Sequence, residues 1–133
     1  MNSRGYILIG IGAALAFALA MLVIAPPASA INDPPASGGT LTSDWTVTDA
    51  RSYSSVTITM QNCNLYIASG GSLTLNTVRL NFYNTNPSVN TYSFEVQSGG
   101  TLSASTKCTI TSLTTSAHYQ FIIKGSATID RCT

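Results

Sequence analysis

The chain has 133 residues, of which 44% are hydrophobic and only 8% are charged. This length allows one domain once a leader segment is set aside. Arg4 is the one charged residue before residue 31, so residues 31–133 carry five acidic and five basic side chains and a formal net charge of zero. Because residues 31–133 are neutral and have no basic patch, we do not expect them to bind the phosphate backbone of nucleic acids, and their low net charge favours self-association.

Residues 1–30 have the features of a secretory signal peptide. Arg4 provides a short positive region, and residues 7–25 form an unbroken apolar stretch. Two prolines follow, and proline ends a helix because it lacks the backbone N–H group. Small residues in an A-x-A pattern then fit a signal-peptidase site, which predicts cleavage between Ala30 and Ile31.

The apolar stretch at residues 7–25 is longer than the roughly 7–15 residues of an ordinary signal peptide. It approaches the about 20 residues that a membrane-spanning helix needs. An uncleaved membrane anchor is therefore the alternative, although a cleavage site placed after a helix breaker favours a removed signal peptide. Both interpretations send the rest of the chain through the secretory pathway to the cell surface or the medium.

The segment from residue 31 to residue 39 contains prolines, glycines and few apolar side chains, which predicts a linker. From Thr40 onward, β-branched and aromatic residues alternate with polar ones, as in residues 56–60 and 72–75. Such alternation places successive side chains on opposite faces of a strand. No stretch after residue 30 has the 3.6-residue period of a helix, so we expect an all-β region over residues 40–133.

A repeated unit organises this region. Residues 67–73 recur as residues 96–102, 29 residues later, and a weaker copy that has lost one glycine covers residues 123–127. Residues 37–41 are a candidate for a further, degenerate copy. Glycine at a sharp corner permits positive φ or close backbone approach, so we assign repeat turns to the glycines of the three clear copies. These are Gly70, Gly71, Gly99, Gly100 and Gly125.

Repeats of this length, built from short strands, predict a solenoid. One unit cannot bury its apolar face alone, whereas stacked units pair their strands in parallel and bury a continuous core. We therefore predict a parallel β-helix of about three coils over residues 40–133. The alternative is a β-sandwich or meander with fortuitous glycine turns. The solenoid is favoured because the repeat extends to the flanking aromatic and aliphatic positions.

The units at residues 64–75, 92–102 and 119–129 resemble those of right-handed parallel β-helix repeat proteins with a pectate-lyase-like architecture, most of all those exported by archaea. The resemblance covers residues 40–133. It implies a location on or near a cell surface. It implies no single activity, because lyases, adhesins, surface-layer proteins and passive scaffolds all use this architecture.

The chain departs from that family where it ends, since family members continue for many coils and close with a cap. Here Cys132 and Thr133 lie partway through a coil. An uncapped end exposes unpaired N–H and C=O groups that template further pairing. We expect an N-terminal fragment of a longer protein; the alternative is an open end that docks onto another subunit.

Cys63, Cys108 and Cys132 belong to a chain expected in an oxidising compartment. Cys108 and Cys132 are separated by about one coil. On neighbouring strands, a spacing of about 4.8 Å falls within the roughly 4.4–6.8 Å between Cα atoms that a disulfide accepts. A Cys108–Cys132 bridge is one interpretation, and two buried free thiols in an inward column is the other, which we favour. The cysteine spacing fits no metal site.

Aromatic residues suggest a carbohydrate-binding hypothesis. A solenoid aligns equivalent positions of successive coils, so exposed rings can form a strip on which sugars stack. The candidates for this strip are Trp45, Tyr53, Tyr66, Tyr83 and Tyr92. The alternative is that most of these rings anchor the core or the loops. Phe82, Phe94 and Phe121 are expected in the core instead.

No arrangement of residues predicts catalysis. The acidic residues are scattered singly, whereas β-helix lyases and hydrolases need clustered carboxylates to hold Ca²⁺ or to act as an acid–base pair. His118, the single histidine, lies in a polar loop with no nucleophile motif beside it. We therefore expect that the chain is not an enzyme, that it has no catalytic, cofactor-binding or metal-binding residues, and that it uses no cofactor.

The sequence thus predicts a non-catalytic, exported cell-surface protein with a structural or adhesive role. A second hypothesis is a glycan-binding module, or the N-terminal part of a polysaccharide-active β-helix enzyme. A third is a self-stacking filament subunit, favoured by near-zero net charge and open coil ends. The expected partners are surface glycans or further copies or coils of the chain, with membrane contact only through residues 7–25 if they are not removed.

Overall fold

The computed structural model describes residues 32–85, 92–115 and 118–133. The predicted signal peptide or anchor at residues 1–30, with its cleavage site, lies outside the described residues. Within the described ranges, every regular element is a β-strand. No helix long and apolar enough to cross a membrane occurs in the part of the chain that the structure describes.

Twelve short strands follow one another along the described chain. Most alternate between buried and more exposed side chains, as strands with one face in a core do. Their bounds are β1 Gly39–Leu41, β2 Trp45–Val47, β3 Ala50–Ser54, β4 Thr57–Gln61, β5 Leu65–Ile67, β6 Ser72–Asn76, β7 Arg79–Tyr83, β8 Tyr92–Val96, β9 Thr101–Ser105, β10 Thr109–Ser112, β11 Tyr119–Ile123 and β12 Ser126–Ile129.

The strands form three sheets of four strands each, and all the described pairings are parallel. The first sheet contains β1, β4, β7 and β10, the second β2, β5, β8 and β11, and the third β3, β6, β9 and β12. Three consecutive strands therefore complete one coil. The predicted all-β class and parallel stacking are confirmed, and the antiparallel meander or sandwich is wrong.

The solenoid has four coils, made of β1–β3, β4–β6, β7–β9 and β10–β12, instead of the predicted three. The glycine-containing copies belong to the second, third and fourth coils. In the first coil, Thr48 and Asp49 form the corresponding corner between β2 and β3. Because this coil has no glycine at the repeated position, the glycine pattern of the sequence did not reveal the coil.

Residues 37–41 are not a further copy of the glycine corner, contrary to the expectation from their sequence. Gly39 begins β1 and pairs with Ile58 in the first sheet, whereas the glycine corner joins the second sheet to the third. Gly38 has a φ of 80°, and a Cβ atom there would lie 2.3 Å from the carbonyl oxygen of Thr57. Residues 37–41 resemble the glycine corner because in both places a glycine packs closely against the backbone of another coil.

The core consists of inward columns of side chains that the register places above one another. In the second sheet, Ile67 pairs with Val96, and Val96 pairs with Ile123. Phe94 pairs with Phe121, and their ring centroids are 4.7 Å apart. Equivalent apolar side chains of successive coils therefore bury one another, which a single coil cannot do.

The two glycines at the corner between the second and third sheets have different tasks. Gly70 and Gly99 have φ values of 82° and 81°, in the left-handed region that favours glycine. Gly71 lies against backbone, because a Cβ atom there would be 2.2 Å from the carbonyl oxygen of Val47. At Gly100 a Cβ atom would meet backbone oxygen at 2.5 Å.

The fourth coil keeps only the close-packed glycine of this corner. Lys124 and Gly125 alone join β11 to β12, and their N–H groups donate to the carbonyl oxygen of Val96 at 2.7 and 3.0 Å. A Cβ atom on Gly125 would lie 2.4 Å from the carbonyl oxygen of Gln97. The glycines assigned as repeat turns therefore lie at one corner of the solenoid in three successive coils.

A second repeat, which was not predicted from the sequence, lies at the corner that returns the chain from the third sheet to the first. Each copy has a residue with positive φ, between 52° and 63°, followed by a Val or Cys that packs in or against the core. Because none of the positive-φ residues is glycine, composition did not reveal the turn. The copies are Ser55-Val56, Thr77-Val78, Lys107-Cys108 and Arg131-Cys132.

Alanine substitution separates the two tasks of the corner glycines. In Gly70→Ala the new methyl group meets no neighbouring atom, but the residue must keep a left-handed backbone conformation, which lowers the unfolding free energy by about 1–2 kcal/mol. Gly71→Ala forces its Cβ atom against Val47 backbone, so we expect a larger loss of unfolding free energy. Urea unfolding of the two variants and the unsubstituted protein measures the difference. Equal losses, or a larger loss for Gly70→Ala, would contradict this account of the corner.

Candidate functional site

The segment before β1 closes the N-terminal end of the solenoid. Pro34 and Gly38 are buried within it. The Tyr53 hydroxyl donates to the carbonyl oxygen of Pro34 at 3.1 Å, and Gly38 N–H donates to that of Pro35 at 2.7 Å. The described part of the segment predicted as a linker, residues 32–39, packs across the first coil, and we call it the cap.

Asp33 is the centre of this cap. Its carboxylate accepts a hydrogen bond from Trp45 Nε1 at 2.8 Å and forms an ion pair with Arg51. Arg51 also pairs with Asp49 at 2.9 Å. In the register of the third sheet, Arg51 lies opposite Leu73, so a charged side chain ends a column that is apolar in the next coils. The network gives Trp45 Nε1 an acceptor and Arg51 two carboxylate partners at the end of the core, while Trp45 stays buried.

Removing the Asp33 charge should destabilise the fold. Asp33→Asn leaves Arg51 without one of its two carboxylates and weakens the Trp45 hydrogen bond, so we expect a loss of about 1–3 kcal/mol in unfolding free energy. Asp130→Asn is the matched control, because Asp130 and Arg131 form an exposed pair that contributes about 0–1 kcal/mol. Chemical unfolding of both variants tests this. Similar stabilities for the two would show that the Asp33 contacts do not hold the end of the solenoid.

The opposite end of the solenoid is open and apolar. β11 and β12 are outermost in their sheets, and within the described chain the outer side of β10 meets only the last residues, where Ile110 N–H donates to the carbonyl oxygen of Thr133. Four of the five exposed large hydrophobic side chains belong to this last coil. They are Leu113 (52% exposed), Phe121 (37%), Ile123 (48%) and Ile129 (45%).

A shallow cavity of about 180 Å³ lies in this open end. Phe121 stacks on Phe94 towards the core and lines the cavity on its other side. Tyr119, which stacks on Phe82 at 4.4 Å between ring centroids, is a further lining residue. Columns that are buried in the preceding coils therefore reach the surface at this end of the described chain. This makes the open end the candidate functional site.

The predicted glycan-stacking strip does not form as a unit. Trp45 and Tyr53 are buried and pack edge-to-face at 5.6 Å between ring centroids, so the prediction is wrong for these two. Tyr66 is half-buried in β5, and Tyr92 is half-buried at the start of β8. Tyr83, at the end of β7 in another sheet, is exposed. The five rings are thus divided between core and surface and over all three sheets.

Cys63, Cys108 and Cys132 are free thiols in the structure, so the Cys108–Cys132 bridge is not formed. Cys108 and Cys132 lie on successive coils, because Thr133 N–H donates to the carbonyl oxygen of Cys108 at 2.9 Å. Burial first, and then the neighbouring Cys108 thiol, raise the pKa of the Cys132 thiol. Cys108 is buried and Cys132 is half-buried, and the two thiols are neighbours in the last coils.

Alkaline pH should weaken the fold through buried groups of the first two coils. Burial, followed by the charge of Asp44, raises the pKa of Cys63 from 9.0 to about 11. Burial, followed by the charge of Asp33, raises the pKa of Tyr53 from 10.0 to about 12. Between the unfolded and folded pKa values the unfolded chain releases protons that the folded chain retains, so stability falls as pH rises from about 9 to 12.

Urea unfolding at stepped pH measures this effect. We expect unfolding free energy to be independent of these two groups below pH 9 and to decline above it. The double variant Cys63→Ala/Tyr53→Phe should show a shallower decline, whatever its stability at neutral pH. An identical slope in the variant and the unsubstituted protein would refute the assignment.

The acidic side chains hold turns and ion pairs instead of converging. Asp44 Oδ1 accepts hydrogen bonds from the Asn64 N–H at 2.8 Å and from Asn64 Nδ2 at 3.1 Å, and Asn64 Oδ1 accepts one from Ser93 N–H at 2.9 Å. His118 is exposed. No group of three or more His, Cys, Asp or Glu residues able to hold a metal occurs among the described residues. The remaining ion pairs are Glu95–Lys124 at 2.8 Å and Asp130–Arg131 at 3.0 Å.

The outer face of the third sheet carries two rows of hydroxyl groups. The register aligns them from coil to coil, and all are exposed or half-buried. The polar groups of this face are hydroxyls and not charged groups, so it can donate hydrogen bonds to polar partners and accept hydrogen bonds from them. One row is Ser52, Thr74, Ser103 and Thr128, and the other is Ser72, Thr101 and Ser126.

Comparison of the chain with protein-family models, with curated proteins and with solved structures found no match. The structural class therefore rests on the strand pairing, and the function on the geometry of the site.

Proposed function

We propose that the chain is a non-catalytic structural protein of the cell surface, whose open coil end joins a second copy of the same chain. Its coils follow the right-handed parallel β-helix of exported archaeal proteins, which its repeat units resemble. The sequence of residues 1–30 supports export, by cleavage after Ala30 or by anchoring through residues 7–25. The scattered, internally engaged acidic residues support a role other than catalysis.

The observation that carries this proposal is the contrast between the two ends of the solenoid. The N-terminal end is closed by the Asp33 network, whereas the C-terminal end exposes Phe121, Ile123 and Ile129 beside unpaired strand edges. Exposed edges and apolar columns drive association, and the low net charge does not oppose it.

One capped end limits how copies can assemble. Head-to-tail stacking into a filament needs two complementary ends, and the cap covers one of them. Two open ends can instead meet across a two-fold axis, where the same surface of each copy contacts the other. We therefore expect a closed dimer and not a fibre.

Sedimentation of the exported protein, purified from the producing host, tests the proposal. The unsubstituted protein should sediment as a dimer. Ile123→Asp and, on a separate strand, Ile129→Asp should each weaken the dimer by about tenfold or more, because each buries a charge in the contact. Tyr83→Asp is the matched control: Tyr83 is 40% exposed but does not line the cavity of the open end, and the dimer should persist.

Circular dichroism of each variant ensures that a loss of dimer is not a loss of fold. A monomer at high concentration would overturn the proposal, as would a dimer unaffected by both open-end substitutions. Fibres would overturn the closed, two-fold arrangement.

A glycan-binding module is the second candidate, favoured by the hydroxyl rows on the third sheet. Rows led by Ser52 and Ser72 repeat at the coil spacing of about 4.8 Å and can hydrogen-bond an extended sugar chain. Retention on neutral polysaccharides that is lost on replacing Thr74 and Ser103 with Val, with the dimer intact, would support this function over the structural one.

A further inference from the structure

A groove of about 320 Å³ runs along the corner that leads from the third sheet back to the first. It spans three coils: Ser55 and Thr57 belong to the second, Thr77 and Arg79 to the third, and Lys107 and Thr109 to the fourth. Hydroxyl groups therefore surround two cationic side chains. At a coil spacing of about 4.8 Å, the groove extends along the solenoid axis and not around it.

Among the described residues, the two cationic side chains that line this groove have no ion-pair partner. All five acidic residues lie within the described ranges, so no acid outside them can act as a partner. Asp33 and Asp49 pair with Arg51, and Asp44 binds Asn64. Glu95 and Asp130 complete the set, paired with Lys124 and Arg131. Among the described residues, Arg79 and Lys107 are the cations that form no ion pair.

We infer that this groove binds an acidic polymer through carboxylate or sulfate groups held by Arg79 and Lys107. A guanidinium presents paired donors that match the two oxygens of such a group, and an ammonium adds a point charge beside it. The surrounding hydroxyls donate further hydrogen bonds. The groove is open and elongated, so it fits consecutive groups of a chain, whose linkage strengthens a contact that is weak for each group alone.

This inference goes beyond the proposed assembly and does not depend on it, because the groove and the cavity of the open end share no lining residue. It is also compatible with the exclusion of nucleic acids as general partners. Arg79 and Lys107 form one local pair, whereas tight binding to a nucleic-acid backbone needs several phosphate contacts.

Retention on immobilised polymers tests the groove with the exported protein. The probes are polygalacturonate, which carries carboxylates, dextran sulfate, which carries sulfates, and uncharged dextran. We expect retention on at least one acidic polymer and none on uncharged dextran, and the stronger acidic polymer identifies the group. Added salt should weaken the binding.

The decisive comparison is between two double variants of equal net charge. Arg79→Gln/Lys107→Gln should weaken retention about tenfold or more, because it removes both charge-assisted contacts. Lys124→Gln/Arg131→Gln removes two cations that already have acidic partners, and retention should stay within about threefold. Equal weakening in the two variants would show attraction by net charge alone and overturn the inference. So would an absence of retention, or equal retention on uncharged dextran.

Discussion

Parallel, in-register pairing between successive coils is the constraint on which the rest of the structure depends. Each inner strand gives its backbone N–H and C=O groups to the coils on either side, and each inward side chain packs on its equivalents. Ile67, Val96 and Ile123 form one such column, and the corner glycines stack in the same way, with Gly70 N–H donating to the carbonyl oxygen of Gly99 at 3.0 Å. No coil is therefore stable alone, and each end of the stack poses a separate physical problem.

The two ends meet that problem differently. At the N-terminal end, Arg51 occupies the position that Leu73 has in the next coil, and Asp33 forms an ion pair with it. The segment before β1 then packs over Trp45 and Tyr53. At the other end, Phe121 and Ile123 continue apolar columns to the surface. The first end is compatible with water, whereas the second exposes the apolar surface through which we propose that two copies meet.

The sequence predicted the strands and the glycine corner, and it missed the cap and the repeated corner whose positive-φ residues are not glycine. Period-two alternation predicted strands, and the similar glycine stretches around Gly70 and Gly99 gave the register of the second and third coils. The cap was missed because it depends on a contact between Asp33 and Arg51, which are 18 residues apart and belong to no repeat. Trp45 was a candidate for the exposed strip but is buried in β2, because period-two alternation alone does not identify which face of a strand is buried. The open end followed from the repeat pattern, but its apolar side chains were expected in a filled core.

The charge distribution links the two proposed surfaces. A neutral chain with few ions would ordinarily have no preferred polar partner, yet every acid here is engaged elsewhere, which leaves Arg79 and Lys107 uncompensated at one corner. Because that corner lies beside the stack and not at its end, pairing through the open end leaves the groove of each copy accessible. A dimer then presents two grooves to one polymer, and the second contact forms at a high effective concentration once the first is made. The two proposals are therefore compatible, and in the proposed dimer each would strengthen the other.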